Sequence, residues 1–300
     1  MSRSLLSRLR LRLTDRHAAT AAAGRAPIAT RAPGTPFAPL PPDTDLTALA
    51  RGTPVPFVCN LCGRPNTVAV EALSRETPSC AGCGSTVRFR AMAHLVLCEL
   101  GLPDAPLAAL PPRRDLVGLG LSDAAAYAVP LAKRFDYTNT WYHAEPRLDI
   151  AAIPDSRIGT LDFLVASDVF EHVVPPIGLA FRNAHALLKP GGVLVFTVPF
   201  SLDATTVEHF PELHEWRVVV EDGEHVLLNR TRDGRAQRFA DLVFHGGPGS
   251  TLEMRLFSRD ALLRELAAAG FREIRVAAEP CVAHGIVWPE PWSVPIVARA

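Results

Sequence analysis

The sequence has no surplus of charge of either sign. Lys+Arg and Asp+Glu each number 31, a formal net charge of +0, whereas a protein that grips nucleic acid through its phosphates carries a clear basic excess. Lysine is almost missing: Lys133 and Lys189 are the two, and arginine carries the remaining positive charge. Together with abundant alanine and 27 prolines, this bias suggests a GC-rich bacterial genome, so arginine content says little about partners. No apolar run approaches the roughly 18 residues of a membrane span. Near the N-terminus the continuous apolar core of a secretory signal is also absent, and a cytoplasmic location is expected. What remains is 300 residues with 48% hydrophobic content, enough to bury a substantial core in one or two domains.

Residues 1–56 differ from the rest. Leu5, Leu6, Leu9 and Leu13 could line one face of a short helix, with Arg8 and Arg12 opposite, before an Ala/Pro/Gly/Thr-rich stretch. A surface-binding basic helix and a transit peptide are alternatives; the segment reads as a mostly disordered leader.

Four of the six cysteines are paired in spacing, Cys59-x-x-Cys62 and Cys80-x-x-Cys83, each pair followed by a glycine, Gly63 and Gly84. Two such knuckles aim four sulfurs at one ion, the pattern of a closed structural zinc ribbon. Two disulfides or a redox pair are the alternatives. Residues 57–100 are expected to form this ribbon and a connecting helix. Cys98 and Cys281 have no paired spacing and read as buried, inert thiols. Arg88 and Arg90 alternate in Thr86–Arg90 and read as a small solvated face, with a carboxylate or phosphate contact as the alternative. Basic and acidic residues are nearly balanced between Val58 and Leu100, poor ground for RNA binding.

Leu161–Pro199 reads as strand, acidic loop, helix, stop and strand. Phe163–Ala166 is a buried parallel-strand run ending in Ser167-Asp168 and Glu171-His172. Ile177, Phe181, Ala184 and Leu188 recur at helical spacing, and Lys189-Pro190-Gly191-Gly192 predicts the helix stop. Upstream, Asp115–Leu121 reads as a strand turning into a helix from Ser122 to Arg134, capped by Ser122 or Asp123. Gly118-x-Gly120 at that turn is a reduced glycine loop, where absent side chains let a ligand approach the backbone. The β-loop-α-β order implies an α/β fold on a parallel sheet, with function beyond the strands' carboxyl ends.

The run from Asp162 through Glu171-His172-Val173, then Leu188 through Pro199, resembles the fourth and fifth strands of class I S-adenosylmethionine-dependent methyltransferases. The small-molecule type, similar to methyltransferase type 11, is the nearest pattern. The resemblance covers residues 113–300 and implies a Rossmann-like sheet with helices on both faces, within a methyltransferase domain at 101–300. It also implies S-adenosylmethionine as cofactor. Gly118 and Gly120 would be its first motif, although Val117 replaces the usual acidic residue and a third glycine is missing. Asp149, in Asp149-x-x-x-Ile153-Pro154, would meet adenine, Glu145 the ribose, and Asp168 would complete the cofactor set. Two short strands are expected to follow closely after Phe135.

Residues 200–256 form an insertion. Glu221-Asp222-Gly223 and Arg232-Asp233-Gly234 are turn signals between three strand-like runs, predicting an antiparallel β meander over the active site. Phe244-His245-Gly246-Gly247-Pro248-Gly249 and Leu252-Glu253-Met254-Arg255 belong to an overall pattern that resembles many bacterial methyltransferases found among enzymes that build or decorate surface glycans. The expected reaction is methyl transfer to a hydroxyl of a small-molecule or glycan-precursor acceptor, with His172 and His245 as candidate bases. An RNA methyltransferase and a non-catalytic binding protein on a degenerate methyltransferase fold are the rivals.

Overall fold

A computed structural model describes residues 40–300 apart from Pro248 and Ser250. The leucine face expected near the N-terminus lies outside the described residues. In chain order, a hairpin of β1 (Pro54–Val58) and β2 (Pro65–Ala69) precedes helix α1 (Val87–Glu99), strand β3 (Arg113–Leu121), helix α2 (Ala125–Arg134) and strand β4 (Phe135–Thr140). Next come β5 (Leu161–Ser167), α3 (Ile177–Leu187), β6 (Leu188–Thr197) and the short β7 (Phe200–Ser201). Then follow β8 (Val207–Glu208), β9 (Glu215–Glu221), β10 (Glu224–Arg230), β11 (Ala236–Phe239), β12 (Phe244–His245) and β13 (Thr251–Leu252). The chain ends with β14 (Arg255–Ser258), α4 (Arg259–Ala268), β15 (Arg272–Val276) and β16 (Ile296–Arg299).

Residues Val207–Leu256 make one compact unit, and the described residues up to Thr206 with Phe257–Ala300 make another. The larger unit is a Rossmann-like α/β sheet of six strands in the order β15-β16-β6-β5-β3-β4. Strands β3 to β6 pair in parallel, while β16 runs antiparallel to β6 and β15 antiparallel to β16. The chain steps from β3 outward to β4 and returns on the other side of β3 to β5. That reversal puts a topological switch point between the carboxyl ends of β3 and β5.

Side-chain alternation along the strands assigns the two faces. Phe163, Val165, Val193 and Val195 face one core, which also holds α1, α2 and the hairpin residues Val55, Phe57 and Leu61. Leu164, Ala166, Leu194 and Phe196 face the other, under Phe181 of α3 and Leu262 and Leu266 of α4. Helices therefore cover both faces, and the cysteine-bearing segment shares its core with the sheet.

Three local expectations are corrected. Only β4 forms after Phe135: the chain then folds on itself, Trp141 N donating to Pro146 O at 2.9 Å and Leu148 N to Trp141 O at 3.0 Å, which uses the backbone groups a second strand would need. Helix α2 begins at Ala125, because Ser122 turns with φ 56° and Asp123 sends its side chain inward, leaving Ala124 as an N-cap without a side-chain hydrogen bond. Helix α3 ends at Leu187, ahead of the Lys-Pro-Gly-Gly run, which opens β6. Lys189 serves a different carboxylate from the helix end: its Nζ lies 2.7 Å from Asp162 Oδ2, which also accepts from Val117 N at 2.8 Å.

In the smaller unit β9, β10 and β11 form the antiparallel meander in the order β11-β10-β9. Asp222 and Gly223 both take positive φ, 50° and 84°, as a two-residue hairpin turn of matching twist requires. Phe210, Leu227, Leu252 and Met254 form its core. Among the described residues no helix is long and apolar enough to cross a membrane.

Gly118 and Gly120 are packing glycines in this fold. A Cβ at Gly118 would stand inside the Phe163 ring, and one at Gly120 would collide with the Tyr137 hydroxyl and the Asp123 carboxylate. Gly118→Ala should therefore destabilise the protein by about 1–3 kcal/mol through overpacking, read by urea denaturation. An unchanged midpoint and slope would contradict this.

Candidate functional site

The switch point is filled with charge. Asp168, the first residue after β5, accepts from Arg75 Nη2 at 2.6 and 2.9 Å and from Thr197 Oγ1 at 2.9 Å. Arg88, on the first turn of α1, lies 3.5 Å from the same carboxylate and donates to Ser167 Oγ at 2.6 Å. Its other nitrogens reach Glu76 at 2.9 and 2.7 Å, and Arg75 also pairs with Glu76. All four side chains are largely buried. Burial works against the charge of Asp168, yet Arg75 and Arg88 outweigh it and hold the carboxyl well below the usual carboxylate range. Glu76 is held below its ordinary value in the same way.

These contacts correct the reading of Arg88 and Arg90 as a solvated face. Arg88 spans the ion cluster, and Arg90 is wholly buried. Arg90 donates to the carbonyls of His284, Gly285 and Ser85 at 2.8, 2.9 and 3.0 Å, with its guanidinium 4.6 Å from the Phe57 ring centroid. Alternating arginines beside a ribbon look alike in sequence whether they face water or a carboxylate 80 residues away. Arg75, which sequence reasoning also left out of the site, sits in a loop with no periodicity.

Beside this cluster, the β3–α2 turn carries a buried carboxylate. Asp123 accepts from the hydroxyls of Tyr127 and Tyr137, both at 2.5 Å. Asn139 closes the turn, its Oδ1 accepting from Asp123 N and its Nδ2 donating to Asp123 O, each at 2.9 Å. Burial pushes Asp123 up to about 7, against the two tyrosines and Arg88. The bare backbone at Gly118 and Gly120 thus receives the protein's own Phe163, Tyr137 and Asp123.

The remaining expected cofactor residues follow β4. Trp141 and Tyr142 are exposed there, 40% and 52%. Glu145 is exposed and accepts from Arg147 N at 3.0 Å, and half-buried Asp149 accepts from Ala151 N at 2.9 Å. For S-adenosylmethionine the donor chemistry fits: guanidinium groups suit its carboxylate, Asp168 its ammonium, exposed rings its adenine, and Asp149 and Glu145 its hydroxyls and amino group. Close backbone approach at Gly120 is a conventional element these residues do not provide.

His172 ends a short turn, Phe170–His172, with Nε2 3.7 Å from an oxygen of the buried Glu171. In the smaller unit one carboxylate holds two imidazoles: Glu253 Oε1 lies 2.8 Å from His209 Nε2, and Oε2 lies 3.0 Å from His245 Nε2. Burial raises Glu253, but both histidines outweigh it and bring it down to about 2. A carboxylate in that position fixes ring orientation. Sequence reasoning named His245 and missed Glu253, whose signal was its place in Leu252-Glu253-Met254-Arg255.

The four ribbon cysteines are free thiols whose sulfur ligand atoms all lie within 4.8 Å of one another. Cys59 and Cys83 Sγ are 3.7 Å apart, Cys62 and Cys80 Sγ 3.6 Å. Those separations exceed a disulfide bond of about 2.0 Å and match the edge of about 3.8 Å for a zinc–thiolate tetrahedron. Gly63 and Gly84 take φ 78° and 69° and donate to Cys59 O and Cys80 O at 2.8 and 2.9 Å, closing both knuckles. A tetrahedral metal fits this set. Cys98 corrects its reading as a buried thiol, being exposed, and Cys281 is half-buried.

The Asp123 cluster makes stability depend on pH. In the unfolded chain the carboxyl gives up its proton near the ordinary value of 3.8, and in the folded protein near 7. The native state binds the extra proton between these values, so its stabilising effect is complete below the lower one and lost as pH rises through the upper. Thermal unfolding should show stability falling by up to about 4 kcal/mol from this group between about pH 4 and pH 8. Asp123→Asn should flatten that slope; an unaltered slope would refute the shift.

A family model described as a methyltransferase domain matches residues 105–276, more than half of the chain. No curated protein matches. Among solved structures, the chain is similar to an S-adenosylmethionine-dependent methyltransferase from Mesorhizobium loti, with 14% identity over 73% of this chain and 100% of that one and a TM-score of 0.42. It is similar to 1,6-didemethyltoxoflavin-N1-methyltransferase from Burkholderia thailandensis, with 16% identity over 70% and 77% and a TM-score of 0.40. The amino pentose methyltransferase CalS10 from Micromonospora echinaspora gives 15% identity over 72% and 92%, with a TM-score of 0.39. The assignment rests on the family match rather than on these distant likenesses: the chain belongs to the methyltransferase domain family, whose class I S-adenosylmethionine-dependent enzymes its sequence resembles.

Proposed function

We propose that this enzyme transfers a methyl group from S-adenosylmethionine to a hydroxyl of a small or saccharide-linked acceptor, in the cytoplasm. The observation that carries the reading is the set of groups beyond the carboxyl ends of β3, β4 and β5. Arg75 and Arg88 meet Asp168 there, and the exposed Trp141 and Tyr142 stand ahead of Glu145 and Asp149. Asp149 and Glu145 would hold the adenosine part of the cofactor, and the Arg75–Asp168 pair its amino-acid part. When bound, the sulfonium supplies an electrophilic methyl group whose displacement needs alignment more than acid catalysis. The chain's own contribution to a hydroxyl acceptor is a base that receives the proton at an imidazole nitrogen. His245, oriented by Glu253, and His172, beside Glu171, are the two candidates.

We also infer structural zinc at Cys59, Cys62, Cys80 and Cys83. Arg90 supports it: this buried cation has carbonyls and hydroxyls around it and the cysteine thiolates as its nearby negative charge. A zinc held by four thiolates carries net negative charge that such an arginine would balance. RNA methylation is less well supported, because Arg75, Arg88 and Arg90 all turn inward. Non-catalytic binding on the same fold is favoured by the filled glycine turn at Gly118 and Gly120.

Isothermal titration with S-adenosylmethionine separates these readings. Binding by the wild type is expected, with Asp149→Ala weakening it by about 1–3 kcal/mol through loss of an acceptor; no measurable binding by the wild type would leave only the non-catalytic reading. With an acceptor identified by a mass gain of one methyl group, His245→Asn or His172→Asn should lower turnover by roughly 100-fold with cofactor affinity retained. Full turnover in both variants would exclude an imidazole base.

A further inference from the structure

The ribbon's knuckle spacing recurs at Cys281-Val282-Ala283-His284-Gly285, although here Gly285 N donates to Val282 O and Ile286 N to Cys281 O. In the first two copies a Cys-x-x-Cys turn is closed by a glycine at positive φ, Gly63 and Gly84. Here a Cys-x-x-His turn is followed by Gly285 at φ 62°, and Cys281 pairs with Ile286 through backbone bonds of 3.0 and 2.9 Å. The third turn thus presents a thiol and an imidazole where the others present two thiols.

Two further ligand types face it. His94 comes from α1, and Asp104 from the connection between α1 and β3. One ligand atom each from His94, Asp104, Cys281 and His284 lies within 4.8 Å of all the others. Asp104 Oδ1 is 2.9 Å from His284 Nε2 and 3.3 Å from His94 Nδ1. The His284 ring is fixed from behind, since its Nδ1 sits 2.9 Å from the Val58 carbonyl. That carbonyl can only accept, so Nδ1 carries the proton and Nε2 is aimed into the cluster, the arrangement typical of a metal-binding histidine. None of the four belongs to the Cys59–Cys83 set or to the switch-point cluster.

We propose that His94, Asp104, Cys281 and His284 form a second zinc site. Two imidazoles, one thiolate and one carboxylate satisfy a borderline-soft ion that prefers four nitrogen, sulfur and oxygen ligands in a tetrahedron. Zinc–ligand bonds of about 2.0–2.3 Å require ligand atoms roughly 3.3–3.8 Å apart, so the 2.9 Å Asp104–His284 separation would open slightly and any separation near the 4.8 Å limit would close. With four protein ligands the site is closed and structural. It ties the 281–286 turn to α1 and to the residue before Cys59, and so fixes the His284 and Gly285 carbonyls that receive Arg90. One metal would thus organise the ribbon from within and the other would fasten it to the C-terminal part of the sheet unit. The inference stands independently of the methyl acceptor.

The test is metal content of the full chain, purified without chelator, supplied with zinc and desalted. The wild type should hold about two zinc ions per chain, and Cys281→Ser and exposed Asp104→Asn about one each. Cys80→Ser should also fall to about one, retained in the Cys281 set. Cobalt substitution gives a second readout. The wild-type spectrum minus that of Cys281→Ser should contain a thiolate-to-cobalt charge-transfer band with tetrahedral visible bands. An unchanged far-ultraviolet circular dichroism spectrum for Asp104→Asn would tie its metal loss to the ligand. About one zinc in the wild type, unchanged in both Cys281→Ser and Asp104→Asn, would overturn the proposal.

Discussion

Two guanidinium groups and two carboxylates largely removed from water at the end of a parallel sheet are tolerable only as a complete set, and much of the larger unit is arranged to complete it. Taking one partner from a buried pair costs about 3–5 kcal/mol, because the other charge stays behind uncompensated. Arg75 and Arg88 come from the ribbon loop and from α1, while Asp168 comes from the carboxyl end of β5. The cluster therefore binds segments more than 80 residues apart in sequence, and the shared apolar core beneath α1 reinforces the same alignment. Asp123, which with its partner Tyr137 fills the space before Gly120, extends this polar layer across the switch point.

This arrangement divides the crevice into regions of different chemistry. Toward β3 and β5 it is ionic and already internally paired, so a ligand entering there must exchange one set of ion pairs for another rather than simply fill a space. Toward β4 it presents exposed aromatic surface and two carboxylates with only local backbone partners. Within the smaller unit, separately, a buried carboxylate lies between two imidazoles.

The sheet was legible where local pattern and tertiary role coincide. Phe163–Ala166 and Val193–Phe196 are short apolar runs bounded by turn residues, as buried strands are, and Asp222-Gly223 between strand-like runs is a strong hairpin signal. The paired Cys-x-x-Cys spacing was equally readable, since the knuckle is a local geometry. Ser122 and Lys189 were misread because a good local role, a helix cap or a helix-end cation, was displaced by a tertiary one. Arg75, Asp104 and Cys281 carry no periodic signal at all: their meaning lies in partners brought close by the sheet's crossovers. Gly118 and Gly120 show the converse, for a glycine that clears room for a ligand and one that clears room for Phe163 or Tyr137 are the same letter in sequence.

The central claim is that the ribbon's arginines and the methyltransferase crevice form one site. Hydrogen–deuterium exchange of the full chain with and without S-adenosylmethionine tests it most directly, because it reports each segment separately. The account predicts that cofactor alters protection of residues 75–90, 120–124 and 167–172 together, alongside 141–151. Protection gained at 141–151 with residues 75–90 unchanged would contradict it.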